Sequence, residues 1–296
     1  MTQQTELYSV PCTLLQEYLE NACIDSSQLD CPYKRTDNAY PRYLDTIVSR
    51  VTDDIACEKQ CTFYEDFPCR SFAFYTSASQ CFISGDDIAS AGEGALQARP
   101  GTDYYERSCE QLFSAVEETE NIILDTEQSG ETGSPVATLP QERRCTFGRL
   151  EYEKTTGYEL IRAKPYRLYS RRDGGISGEC GSRCQADTRC QGFNMDYNRN
   201  ECQAVVENTE DNLFNLRPST GVAFFEAICL RGRTCGAVWT FERFLDYELR
   251  GWVRDTQTKI SKLECQDACV SENRFSCRSA TYDHATQECH LSEEDR

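Results

Sequence analysis

Cysteine and histidine are the residues of this 296-residue chain that first suggest chemistry: it holds nineteen of the one and two of the other. His284, His290 and Cys289 lie close together and raise the thought of a nucleophile with its base, or of a zinc ligand set. Nucleophilic catalysis wants an imidazole held by a carboxylate, and zinc sites usually offer a CxxC pair, which this chain lacks. There is no GxGxxG, no GxxxxGK[ST] and no HExxH. Carboxylates recur instead: Asp86 and Asp87, then Glu207, Glu210 and Asp211, then Glu293, Glu294 and Asp295. None shows the D-x-D alternation of a calcium loop, so they read as solvated acidic loops. No catalytic residue, metal ligand or cofactor is assigned, and the chain is not expected to be an enzyme.

The cysteines make sense together. CRSFAFYTSASQC (Cys69 to Cys81), CQGFNMDYNRNEC (Cys190 to Cys202) and CRSATYDHATQEC (Cys277 to Cys289) repeat one spacing, C-x11-C. The repeat extends outward. One copy uses Cys31, Cys57, Cys61, Cys69, Cys81 and Cys109, and the next Cys145, Cys180, Cys184, Cys190, Cys202 and Cys229. A third uses Cys235, Cys265, Cys269, Cys277 and Cys289. Such a framework in small domains implies disulfides and an oxidising compartment.

The elements that must hold these cysteines follow from local pattern. Each C-x3-C pair stands at i and i+4, one face of a helix. Ser261 to Glu264 is a capping-box signature, and Thr52/Asp53 and Ser177 are acceptable N-caps. SFAFY then alternates in strand period, TSASQ turns, and CFIS returns, which is a hairpin with a cysteine at each outer end. Aromatic strand-like runs close the copies, DYYERSC to Cys109 and AFFEAIC to Cys229. EYLENAC, to Cys23, looks like the closing strand of a copy whose beginning is absent.

Six cysteines so spaced, the phrase CRSF or CRSA, and the ending YYERSC resemble PAN/Apple domains. The resemblance implies an α+β fold of tandem disulfide-rich modules, each a curved antiparallel sheet cradling one helix. It also implies a pairing: Cys31 with Cys109, Cys57 with Cys81, Cys61 with Cys69, Cys145 with Cys229, Cys180 with Cys202, Cys184 with Cys190, Cys265 with Cys289 and Cys269 with Cys277. Spacing alone leaves fifteen connectivities open for six cysteines. Cys235 is expected to be unpaired beside an exposed sheet edge, and Cys12 and Cys23 stay undecided between a local bridge and orphans. The boundaries so drawn are 1–23, a remnant of a preceding copy; 24–109, a full copy; 110–144, an acidic flexible linker; 145–229, a full copy; and 230–296, a copy truncated before its last strand. Only LRGRT separates the last two, which should therefore pack together.

A net charge of −18 argues against nucleic acid, and no apolar run is long enough to enter a membrane. The second copy departs from that balance. IRAKPYRLYSRR sets Arg162, Lys164, Arg167, Arg171 and Arg172 beside Tyr166 and Tyr169. It reads either as a patch for an anionic partner or as a solvated strand with no specific role. MTQQTELYSV has no signal-peptide pattern, and the cysteines demand secretion; both hold if the chain is a piece of a longer secreted or membrane-anchored protein. The resemblance implies binding to extracellular matrix proteins or polysaccharides. The CRSF-type hairpins and the ending LSEEDR are most similar to arrays preceding a zona pellucida domain in arthropod and nematode apical-matrix proteins of the no-mechanoreceptor-potential-A type, and so imply cuticle attachment. The alternatives are the docking region of a secreted protease zymogen and a glycan-binding adhesin.

Overall fold

In the computed structural model, residues 7–9, 16–22, 32–92, 94–108, 145–210, 213–232 and 234–295 are described. The linker expected over 110–144, and Cys12, Cys23, Cys31 and Cys109, lie outside them.

Two strands precede the first copy, β1 (Leu7–Ser9) and β2 (Gln16–Asn21). The first copy runs β3 (Tyr33–Thr36), β4 (Ala39–Pro41), β5 (Thr46–Ser49), α1 (Asp54–Thr62), β6 (Ser71–Tyr75), β7 (Gln80–Ser84), α2 (Ile88–Ala91), β8 (Leu96–Ala98) and β9 (Thr102–Arg107). The second runs β10 (Arg149–Leu160), β11 (Tyr166–Ser170), α3 (Ser177–Ala186), β12 (Gly192–Asp196), β13 (Glu201–Val205) and β14 (Leu216–Leu230). The third runs β15 (Phe241–Leu245), β16 (Tyr247–Leu249), β17 (Val253–Thr258), α4 (Lys262–Ser271), β18 (Ser279–Asp283) and β19 (Glu288–Ser292).

The fold is α+β, and one sheet plan is used three times. The first copy orders its strands β3-β9-β6-β7-β5. The second has β10-β14-β12-β13-β11, and the third β15-β2-β18-β19-β17, each with the same sense of succession. A short parallel pairing of β10 with β15 fuses these last two into one ten-stranded sheet. Each copy sets one cysteine-bearing helix on its sheet: α1 on β6 and β7, α3 on β11 and β12, α4 on β18 and β19.

Local chemistry accounts for the elements. Asp53 caps α1 by accepting from the Ala56 amide at 2.8 Å, and Ser261 with Glu264 forms a capping box at α4. Ser177 departs from its expected role as a cap. It is buried at the start of α3, and its hydroxyl donates to Asp45 of the first copy at 2.7 Å. A buried hydroxyl gains more from a charged acceptor than from a helix amide that neighbouring groups or water can satisfy. The hairpin turns place Ser79, Asn200 and Gln287 in the left-handed region, at φ 51°, 51° and 57°. All three stand two residues before a cysteine, so the turn is the same in every copy.

Among the described residues seven bridges have both cysteines in view: Cys57–Cys81, Cys61–Cys69, Cys180–Cys202, Cys184–Cys190, Cys265–Cys289 and Cys269–Cys277 tie a helix to its hairpin, and Cys145–Cys229 joins the approach to β10 to β14. Apart from the half-buried Cys229, these cysteines are buried, with Phe72, Phe193 and Tyr282 in the same cores. Cys289 therefore offers no thiolate to His284 or His290.

The third copy corrects three expectations. Its sheet is not open where a closing strand would lie, because β2 runs between β15 and β18, antiparallel to both. β1 likewise pairs with β16, as β8 pairs with β4 in the first copy. The N-terminal strands thus pair within the third copy rather than standing as a separate remnant. Cys235, expected to be unpaired, is disulfide-bonded. The physical reason lies in Tyr18 and Leu19, both fully buried in the slot, which would be solvated on a free tail.

Candidate binding surface and the seams that carry it

Three charged clusters occupy the joints between copies, and none was evident in the sequence. In the first, the Lys154 ammonium is fully buried, donating to Asp86 at 2.8 Å and to Asp45 at 3.4 Å. Asp45 also accepts from Ser177 at 2.7 Å and from the Tyr197 hydroxyl at 2.9 Å. Burial opposes the charge on Lys154, yet Asp45 and Asp86 hold its pKa above the ordinary lysine value. Asp86 is thus not the solvated loop residue expected: it is buried and paired because a second copy covers the loop. The indole of Trp239 lies 4.2 Å from the Lys154 ammonium and stacks on Phe67 at 4.8 Å.

The second cluster gathers around Arg243, which donates to Glu153 at 2.9 Å, Glu17 at 3.0 Å and Glu226 at 3.2 Å. Lys262 adds a bond to Glu153 at 2.9 Å, and His284 faces Glu17 at 3.1 Å. Burial works against ionising Glu17, but Arg243, Lys262 and His284 hold its carboxyl well below the usual range. In the third, Arg70 of the first copy donates to Glu20 of β2 and to Glu242 of β15, the latter at 3.3 Å. These carboxylates are matched to cations inside closed seams, an arrangement that suits a clamp.

The surface is different at β11, the outer edge of the ten-stranded sheet. All five basic residues of the segment are exposed and spread along this edge. They are not equivalent. Arg167 is paired with Glu201 at 2.8 Å, and Lys164 lies 3.9 Å from Glu207. Arg171 donates to the Gly174 carbonyl at 2.9 Å. Among the described residues Arg162, Arg171 and Arg172 have no carboxylate partner. Tyr166 and Tyr169 are half-buried below two further arginines: Arg189 lies 4.8 Å from the first ring and Arg183 4.1 Å from the second. Arg189 and Arg183 are neutralised by Asp187 and Glu179. The edge therefore presents partly satisfied guanidinium groups over aromatic rings, beside the free backbone rim of a strand.

Elsewhere the expected chemistry disperses. His290 meets Thr256 at 3.1 Å on the outer hairpin, while His284 turns into the Arg243 cluster. Among the described residues no three His, Cys, Asp or Glu side chains converge as metal ligands, and no helix is long and apolar enough to cross a membrane. A cleft of about 500 Å³ beside Cys269–Cys277 is lined by Glu272, Arg274 and Phe275, and its arginine is held by Glu272 and Asp255.

Three repeats of one helix-on-sheet plan, stapled by bridges from the helix to both ends of a hairpin, define a class of disulfide-built binding module. The PAN domain family matches residues 31–109, 145–229 and 235–296, and the chain belongs to that family. Its modules are generally non-catalytic and bind proteins or carbohydrates. Among solved structures, the chain is similar to the two N-terminal apple domains of Toxoplasma gondii microneme protein 4. That match is 16% identical and covers 69% of this chain and 92% of the other, but its TM-score of 0.20 is too loose to carry an argument. No curated protein matches the chain.

Proposed function

We propose that this chain is a non-catalytic extracellular binding array that holds protein or polysaccharide partners in an apical matrix or at a cuticle attachment. The observation that supports this reading is the β11 edge, where Arg162, Arg171 and Arg172 lack carboxylate partners on a molecule whose net charge is −18. A cationic strip on an anionic body orients the approach of a polyanion and repels the wrong face. A sulfated glycan fits this strip, since its negative groups repeat along a line as the guanidinium groups do. Further weak contacts on the other copies add avidity.

The test uses the whole oxidised chain, immobilised against chitin, a sulfated glycan and matrix extract over a salt series. Binding to the sulfated glycan is expected to fall with salt, and to weaken about tenfold in the triple variant Arg162→Gln, Arg171→Gln, Arg172→Gln. Salt-independent binding, or no change in the variant, removes the strip as the site.

A further inference from the structure

The third copy holds a strand slot filled from the far end of the sequence. In each copy the residue two past the fourth cysteine faces a glutamate in the closing strand: Ser71 and Glu106, Gly192 and Glu226, Ser279 and Glu20. One backbone bond also recurs. The amide following that glutamate donates to the carbonyl following that cysteine, Arg107 to Arg70 at 3.2 Å, Ala227 to Gln191 at 3.0 Å and Asn21 to Arg278 at 2.7 Å. β2 is therefore not a tail resting on a sheet edge. It has the register of β9 and β14, and it adds an Asn21 side-chain bond to the Cys277 carbonyl at 2.9 Å.

That register carries a covalent consequence. Glu106 and Glu226 stand three residues before Cys109 and Cys229, and Glu20 stands three before Cys23. In the second copy Cys229 is bonded to Cys145, and Ile228, the residue before it, pairs with Glu151, six residues past Cys145. In the third copy the Ala22 amide donates to Thr240 at 2.8 Å, and Cys235 lies five residues ahead of Thr240. The other cysteines fit less well. In sequence, Cys31 and Cys109 each stand two residues outside the pair Tyr33 and Arg107, and the resemblance to PAN domains pairs them with each other. Cys12 precedes β2 at its opposite end, where Glu17 faces Leu245.

We propose that the segment ahead of the first copy is the closing strand of the third, making that copy a circularly permuted PAN module, and that Cys23 is the bridge partner of Cys235. Forming the latch joins the two sulfurs. Each thiol gives up a proton, and two electrons pass to a disulfide acceptor, which becomes a dithiol. The latch fixes Glu17 among Arg243, Lys262 and His284 of the third copy, and Glu20 against Arg70, so one strand completes the third copy and secures it to the first.

The test is done on the whole oxidised chain. Peptic digestion at acid pH without reductant, followed by mass spectrometry, should yield a peptide pair joining Cys23 to Cys235 that is lost on reduction. A mixture of light and isotopically heavy chains oxidised together should give that pair only as light–light or heavy–heavy. Amide exchange at Tyr18 to Asn21 should be as slow as in β18. Cys235 joined to Cys12, Cys31 or Cys109, a mixed-isotope pair, or exchange in β2 as fast as in an unpaired peptide would each overturn the proposal.

Discussion

Trp239 is the residue at which the three copies meet. It comes from the approach to β15, stacks on Phe67 of the first copy, meets Phe225 of the second edge-on, and covers Lys154. It is fully buried, and a Cβ placed on Gly85 would come within 2.5 Å of its ring. Trp239→Ala should cost about 3–5 kcal/mol in urea unfolding, with most of the loss in the unfolding rate if the seams form late. A loss under about 1 kcal/mol would mean the seam collapses onto the space. Asp295 offers a pH test. Burial and the nearby Glu20 push its carboxyl up to about 6, against the pull of Arg278. Between about pH 4 and 6 the folded chain retains a proton that the unfolded chain has released, so stability falls as pH rises through that window. Asp295→Asn should be more stable by about 2 kcal/mol at pH 7 and no different below pH 4, read as two denaturation midpoints. Neither residue was legible beforehand. A lone tryptophan outside the cysteine frame has no periodicity, and an acidic tail reads as solvated until something covers it.

Elements were read well wherever one copy supplies all the contacts. The hairpin from Ser71 to Ser84 was legible because strand period, turn and flanking cysteines lie in the sixteen residues from Cys69 to Ser84. β10 was opaque. EYEKT carries three charges in five residues and no apolar alternation, yet Glu151 to Thr155 are all buried, because β14 and β15 flank it and its faces are covered by α3 and by the neighbouring copies. Ion pairing across copies replaces the apolar alternation on which such readings depend. The turns give an element-scale prediction. Gln287 holds a positive φ at a cost of about 1 kcal/mol that glycine does not bear, though glycine loses more entropy on folding. Gln287→Gly should gain about 0.5 kcal/mol, and Asn200→Gly nearly nothing, since asparagine tolerates that conformation. Equal shifts in the thermal midpoints of the two variants would contradict this ranking.

At the scale of the molecule, repetition was plain in the cysteines, whereas the way the copies join was not. Sequence order placed EYLENAC in a copy before the first, and the structure places its strand β2 in the copy farthest along the chain. Separate modules on linkers would unfold in separate steps, as their local bridges are independent. Here Lys154, Glu153 and Glu226 of the second copy all draw their partners from the copies on either side. Removing one copy leaves buried charges unpaired, which costs several kcal/mol for each broken pair. The oxidised chain should therefore unfold in guanidinium in a single transition, followed by fluorescence and circular dichroism together; three resolved steps would show that the seams are weak. The placement of β2 also decides how this molecule bears tension. A pull applied through the residues before β1 and after β19 enters and leaves by the same copy. It is carried across the rungs from β2 to β18 to β19, while the first and second copies hang outside the load path and keep their shape under strain.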